Sequence, residues 1–470
     1  MSAQAFIDEL RWRGLLTQVS DEEGLLDYLD AGCQSLYCGF DPTAESLHVG
    51  SLVPLLALRR FQLQGHRPLL LLGGATGMIG DPSGRDDERS LNTGDMVGAW
   101  VQALQAQVSG FLEFEVENDN AAKIVNNLDW THDLPVIDFL RDIGKHFSVN
   151  SMIQRDSVKT RLERSNEGIS YTEFSYMLLQ AMDFLRLAQS ENCLLQIGGS
   201  DQWGNIVSGI DLIRRHTGKS AFAFTMPLVT KADGTKFGKS AAGAVWLDPK
   251  KTSPYAFYQF WLNTADADVI KFLKLFTFLQ QGEIERLEVE TCERPEQRQA
   301  HKKLAQEVTT IVHGAKAVVA AERISAALFA GDAHELLESD LEELRQDGMP
   351  TTGCAVGAGL LTALVESGLT KSTGEARKLV QANGIKLNGE SISDVGEAPE
   401  ILIEGYMLMA SALAATPLDH FGKGLSGLDI PIAWAQVYGL SNLLIEGRIV
   451  PHNFGFKDLD SFVIAVVNRF

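Results

Sequence analysis

SLYCGFDPTAESLHVGSLVPLLALRRFQLQGHRPLLLLGGATGMIG, residues 35–80, reads as three elements in succession. The β-rich start, Ser35–Phe40, ends in small and polar residues. From Ser46 the apolar positions recur at helical spacing until Gly65, and Arg67–Gly80 then carries an all-apolar run bounded by glycines. Such a run suits a strand buried on both faces. Strand, turn, helix, strand is a βαβ unit, and its sheet is parallel.

Working outward, the pattern between about Val97 and Arg186 is mostly helical, and strand character returns at Cys193–Ile197. There it meets GGSDQWGN and the amphipathic segment Ile206–Arg215, so the strand, glycine, helix order repeats. One Rossmann-like nucleotide-binding sheet over residues 1–230, split by a helical insertion at about 97–190, fits this order. Residues 231–331 follow as a lysine-rich loop and an α-helical domain, and the acidic stretch 332–350 reads as a linker. Residues 351–400 look like a small α+β unit with Gly384 as a helix C-cap and a strand at Ile385–Leu387. The last segment, 401–470, is apolar and glycine-rich and carries no readable motif. The fold class is therefore α/β, with a parallel-sheet domain followed by helical and small α+β domains.

With 470 residues, 45% of them hydrophobic and 22% charged, the chain can bury a large core, which excludes global disorder and coiled coil. Its 41 basic and 61 acidic residues leave a net charge of −20, so any contact with nucleic acid must be local. One local basic region exists: Lys371, Arg377, Lys378 and Lys386 against Glu375 and Glu390. Met1–Leu10 contains Asp8 and Glu9 and lacks a secretory pattern, and the apolar runs are too short or too broken to span a bilayer. A soluble, cytoplasmic protein with no membrane partner is expected. Cys33, Cys38, Cys193, Cys292 and Cys354 form no CxxC pair, which argues for free thiols and against a structural metal site.

Four clusters can carry chemistry. His48-Val-Gly-Ser51 lies where the first loop turns into a helix, a place for a ligand's phosphate; a capping or core histidine is the plainer alternative. Lys231–Ser240 holds three lysines around two glycines and suits a polyphosphate, or simply a solvated turn. On the helical segment Tyr171–Asp183, Tyr176, Gln180 and Asp183 fall on one face among apolar neighbours, a polar stripe that needs protein or ligand partners. Asp81, after the apolar strand, and Asp201 with Gln202, after the later one, would lie at carboxyl ends of parallel strands, where such sheets bind ligands. Turn chemistry alone also explains aspartates in such loops.

The strings YCGFDPT, LHVGS, GGATGMIGDPSG, EFSYMLLQ, GGSDQWGNI and KADGTKFGKS, in this order, resemble the bacterial tyrosyl-tRNA synthetases, a family of class I aminoacyl-tRNA synthetases, over roughly Phe6 to Glu397. The resemblance implies ATP-dependent activation of tyrosine and transfer to tRNA, with Mg²⁺ accompanying ATP. It places His48 and Thr43 on the ATP phosphates and Lys236 and Lys239 on the leaving pyrophosphate, and counts Ser51 with these catalytic residues as a hydrogen-bond donor to the ribose, directly or through a water. Cys38, Gly39, Asp41, Gly199 and Asp201 fall to the nucleotide, and Gln202 to the reacting carboxyl and α-phosphate. Asp81, Tyr176 and Gln180 fall to the ammonium group, and Tyr37 with Asp183 to the phenol hydroxyl. Arg85 and Arg89 would add positive charge over the phosphates. The segment around Lys371, Arg377 and Lys378 resembles an S4 RNA-binding domain that would meet tRNA, and Phe139–Asp183 occupies the family's dimer interface, which implies a homodimer. Two departures stand out: Ser51 replaces the family's usual histidine, and 401–470 lacks its basic terminal strands. Beside an active ligase, the sequence admits a catalytically impaired RNA-binding relative or a tryptophan-activating enzyme; Tyr37 paired with Asp183 speaks against the latter.

Overall fold

The apolar run of residues 69–72 lies inside a six-stranded sheet in the computed structural model. The structure describes residues 1–81, 92–115, 119–155, 158–159, 162, 169–235, 237–240, 243–330, 335–353, 358–387, 390–395 and 409–411. The strands are β1 (Gln18–Val19), β2 (Ser35–Phe40), β3 (Arg67–Leu72), β4 (Lys123–Asn126), β5 (Leu195–Gly199) and β6 (Phe222–Met226). Their order in space is β1-β6-β5-β2-β3-β4. Five run parallel, with Tyr37 beside Leu69 and also beside Gln196, while β1 pairs antiparallel to β6. From β2 the chain winds one way through β3 and β4, then returns to place β5 and β6 on the other side of β2. The order therefore reverses between β2 and β5, and such a reversal opens a crevice at the strands' carboxyl ends.

Apolar side chains explain the covering layers. The helices Tyr171–Ser190 and Trp203–Thr217 set Phe184, Leu185, Leu212 and Ile213 against Tyr37, Leu69 and Leu71 of the sheet, all buried. Helix Leu52–Leu63 buries Phe61, which stacks on Phe224 with ring centroids 5.7 Å apart.

The chain divides into two units, one comprising Met1–Gly238, Ala244–Lys251 and Phe260–Val312, the other Lys239–Gly243, Thr252–Gln259 and His313–Phe470. Short strands β7 (Lys239–Ser240) and β8 (Gly243–Ala244) lie outside the large sheet. In the second unit, helices Leu360–Glu366 and Thr373–Gln381 pack Leu360, Leu364, Ala376 and Val380 against β9 (Ile385–Leu387) and β10 (Glu390–Ile392). A third strand, β11 (Met409–Ser411), pairs antiparallel with the other edge of β9.

Four sequence expectations need correction. The span 97–190 is not all insertion, because β4 within it joins β3 in the sheet; β4 is an edge strand of four partly exposed residues and lacks an apolar signature. The expected linker 332–350 contains the helix Glu338–Gln346. Three of its acidic residues are tied to neighbouring elements: Asp340 forms a two-pronged ion pair with Arg323 at 2.7 and 2.8 Å, Asp347 accepts from Ser253 Oγ, and Glu343 accepts from the Tyr255 N–H. The left-handed residue ending the helix Thr373–Gln381 is Asn383, at φ +55°, and not Gly384. Finally, a boundary at 400 leaves out β11, which belongs with β9.

Candidate active site

At the crevice between β2 and β5 opens a cavity of about 600 Å³. Of the residues that the sequence assigned to tyrosine, ATP or catalysis, these line it: Tyr37, Cys38, Gly39, Asp41, Thr43, His48, Ser51, Asp81, Tyr176, Gln180, Asp183, Gly199, Asp201 and Gln202. Lys236, Arg85 and Arg89 lie outside the described residues, and Lys239 is described by its backbone in β7.

Asp183 and Tyr37 are both buried, at 2% and 1% exposure. Asp183 accepts hydrogen bonds from Asn127 Nδ2 at 2.9 Å and Trp130 Nε1 at 2.7 Å. Burial pushes its pKa up to about 7 even though both donors favour the carboxylate. The Tyr37 hydroxyl has no hydrogen-bond partner among the described residues, and burial, with the nearby Asp183 charge adding, raises its pKa well above the usual range. A buried hydroxyl without a partner is costly and marks a place for one. This end of the cavity offers one carboxylate and one hydroxyl to a small polar group.

The polar stripe of the helix Tyr171–Ser190 lines the same cavity. Tyr176 donates to Asp41 Oδ2 at 2.7 Å, and Thr76 donates to Asp41 Oδ1 at 2.6 Å. Gly73 makes this possible, since a Cβ there would overlap both Asp41 Oδ1 and Thr76 Oγ1. Gln202 donates to Asp81 at 2.6 Å. Asp41, assigned by sequence to the nucleotide, is thus also tied to the side chain of Tyr176. Burial raises the pKa values of Tyr176 and Asp201.

At the mouth, His48 Nδ1 accepts the Gly50 N–H at 2.9 Å. An accepting Nδ1 in a neutral ring puts the proton on Nε2, and the surrounding protein lowers the His48 pKa, so the ring is a donor at neutral pH. A Cβ on Gly50 would stand 2.7 Å from His48 Cε1, which explains the glycine. Ser51 turns into the helix Leu52–Leu63 and makes no side-chain cap bond. Cys38 is buried, and burial pushes its thiol pKa up to about 12, which favours the neutral thiol over the thiolate.

The lysine loop is more than a solvated turn. Phe237 packs among Phe260, Trp261, Phe272 and Phe276 with ring centroids 4.9–5.6 Å away. The Ala232 N–H donates to Asp268, and Val245 N–H donates to Gly238. Val245 in turn receives the Val49 N–H on its carbonyl, and His48 forms a β-bridge with Trp246, so the two glycine-bearing motifs share a backbone scaffold.

In the second unit, Lys371, Arg377 and Lys378 are exposed at and along the helix Thr373–Gln381, whose N-cap Ser372 accepts the Glu375 N–H. Sequence reasoning missed Asn127, Trp130 and Asn205. Asn127 is fully buried and satisfied on both sides, accepting from Ala75 N–H and donating to Thr76 and Asp183. Recognising β4 would have found it, since Asn127 follows directly at that strand's carboxyl end.

The chain matches the model of the class I tRNA synthetases (W and Y) over residues 32–330 and that of the tyrosine–tRNA ligase SYY-like C-terminal domain over 340–400. It is 56% identical over 394 residues to the tyrosine–tRNA ligase of Yersinia enterocolitica, covering 84% of this chain and 93% of that one. With the tyrosine–tRNA ligase of Aliivibrio salmonicida it shares 55% over 390 residues, 83% of this chain and 91% of that one. Among solved structures it resembles a C-terminally truncated mitochondrial tyrosyl-tRNA synthetase of Aspergillus nidulans, with TM-score 0.61, 31% identity and coverage of 68% of this chain and 95% of that one. The cavity at the sheet's switch point, its two glycine-bearing motifs and these matches agree: the chain belongs to the class I tRNA synthetases of the tryptophan and tyrosine group.

Proposed function

We propose that this chain is a tyrosine–tRNA ligase: it activates L-tyrosine with ATP to tyrosyl-adenylate and pyrophosphate, then passes the tyrosyl group to the 3′ end of tRNA(Tyr). The observation that carries the choice of amino acid is the orphaned Tyr37 hydroxyl buried with the Asp183 carboxylate at one end of the cavity. A phenol hydroxyl donates to Asp183 and accepts from Tyr37. Phenylalanine leaves the buried Tyr37 hydroxyl unpaired and brings no donor to the Asp183 carboxylate beyond Asn127 and Trp130, and that penalty rejects it.

The remaining roles follow the cavity outward. Asp81, Tyr176 and Gln180 receive the ammonium group, Gln202 the reacting carboxylate and α-phosphate, and Cys38, Gly39, Asp41, Gly199 and Asp201 the nucleotide. In the first step a tyrosine carboxylate oxygen attacks the α-phosphorus and the bond to pyrophosphate breaks. No protein nucleophile takes part, so catalysis is positioning and charge stabilisation. His48 supplies Nε2–H to a phosphate oxygen, with Thr43 and Ser51 beside it on the cavity wall. Lys236 and Lys239 hold the departing pyrophosphate, helped by Arg85 and Arg89. Mg²⁺ is part of the ATP substrate complex, where it neutralises phosphate charge.

The module bearing Lys371, Arg377 and Lys378 contacts the tRNA backbone and shape. The protein works in the cytoplasm as a homodimer; Val136 and Ile137, each 70% exposed, and the likewise exposed Leu140 and Val149 are apolar side chains for a second copy to cover. Among the described residues no helix is long and apolar enough to cross a membrane. ATP–pyrophosphate exchange with tyrosine, phenylalanine and tryptophan offered separately, followed by tRNA charging, tests the proposal. Exchange with tyrosine alone supports it, and exchange with none or with tryptophan overturns it.

A further inference from the structure

Asn205 stands in the helix Trp203–Thr217 and is buried at 6% exposure. Its Nδ2 donates to Gln180 Oε1 at 3.0 Å and to Gln202 Oε1 at 3.4 Å. An amide nitrogen has two hydrogens, so these glutamines take its whole donor capacity. Gln202 in turn donates Nε2 to Asp81 Oδ2 at 2.6 Å and Asp201 Oδ2 at 3.4 Å. The directions of these bonds are not free. The Asp81 and Asp201 oxygens facing Gln202 accept from its Nε2, so Gln202 shows them its NH₂ and turns its carbonyl away, towards a donor. Asn205 is that donor, and it fixes Gln180 by the same rule.

We infer that Asn205 is a positioning residue that sets both glutamine amides for the two charged ends of the amino acid. This inference rests on the tyrosine-activating reading of the cavity. Gln180 keeps one carbonyl lone pair for an ammonium hydrogen, and the Gln202 hydrogen that reaches Asp201 only at 3.4 Å turns to a carboxylate oxygen when the amino acid binds, while the 2.6 Å bond to Asp81 stays. Both glutamines sit on different elements, the helix Tyr171–Ser190 and the turn Ser200–Gln202, and Asn205 links them. Asn205→Asp would present only acceptors, so both amides would reverse and Gln202 would turn its oxygen on Asp81. Asn205→Ala would merely release them.

The test is a double-mutant cycle in the full-length protein: wild type, Asn205→Ala, Gln202→Ala and the double variant. Tyrosine affinity and the single-turnover rate of adenylate formation are measured, with 4-methylphenol, which lacks both charged ends, as a competing probe. Asn205→Ala is expected to weaken tyrosine by about tenfold, while the double variant is no more than about threefold weaker than Gln202→Ala, because the two residues act as one unit. Asn205→Asp is expected to be worse than Asn205→Ala, and 4-methylphenol is expected to bind all variants alike. Additive losses in the cycle, or an equal loss of 4-methylphenol affinity, would overturn the positioning role and leave the ligase reading standing. Absence of tyrosine-dependent exchange in the wild type would overturn both together.

Discussion

Trp130 donates its indole N–H to Asp183 Oδ1 at 2.7 Å, and this bond supports a carboxylate whose two donors, Trp130 and Asn127, are both neutral. Neutral donors only partly offset burial, which is why the Asp183 pKa stands near 7. The group proposed to recognise the phenol is therefore also a titrating group at physiological pH.

Tyrosine affinity should fall as the pH drops through 7. The ionised carboxylate accepts the phenol hydrogen, and below its pKa each further unit of acid costs about tenfold in the ionised fraction. Trp130→Phe removes a donor that favours ionisation, so it should move the midpoint upward. Equilibrium dialysis of tyrosine between pH 5.5 and 8.5 checks both; a flat profile would remove Asp183 from the binding role.

The same group sets a stability trend of opposite sense. Asp183 binds its proton more tightly in the folded state than in the unfolded one, so its contribution to ligand-free stability is present at low pH and is lost as pH rises through about 7. Asp183→Asn should gain in melting temperature relative to wild type between pH 5.5 and 8, while losing tyrosine selectivity. Scanning calorimetry across that range, finding a constant difference, would contradict this.

Gly50→Ala should slow adenylate formation by at least about tenfold and leave tyrosine affinity near that of wild type. The added methyl displaces the His48 ring without touching the phenol end of the cavity. Stopped-flow kinetics beside equilibrium binding separate the two, and equal losses in both would show that the mouth and the tyrosine pocket are not independent.

Arg323→Met leaves the fully buried Asp340 carboxylate without its cation and should destabilise the second unit by about 3 kcal/mol. Thermal melting and protease sensitivity near the helix Glu338–Gln346 report it. An unchanged melt would mean that the helix is held by its leucines alone.

Ile137→Asp places a charge among exposed apolar side chains and, if the proposed homodimer forms there, should yield monomers without lowering secondary structure content. Light scattering at micromolar concentration decides; a dimer mass for the variant would move the interface elsewhere.

The parallel sheet and Asp81, Asp201 and Gln202 could be read from the sequence because they lie in motifs with strong local signals, apolar runs followed by glycine and aspartate, whereas Tyr37, Cys38, Gly39, Asp41, Thr43 and Gly199 came only with the family resemblance. Asn127, Trp130 and Asn205 could not. Their importance comes from what they touch, and Asn127 follows a short edge strand whose residues are too mixed to announce one. The helix Glu338–Gln346 was hidden for a related reason: acidic composition suggests a solvated linker unless Arg323, Ser253 and Tyr255 are known to wait opposite. Asp41 was legible as a site residue, but its bond to Tyr176 was not, since 135 positions separate them.

The strand Met409–Ser411 carries a different lesson. It covers β9 through main-chain hydrogen bonds, and a peptide backbone offers the same donors and acceptors whatever side chains it bears. A stretch of chain that retains only an extended conformation can therefore close this small sheet while its composition drifts. The edge of β9 that it covers is thereby shielded from pairing with another chain.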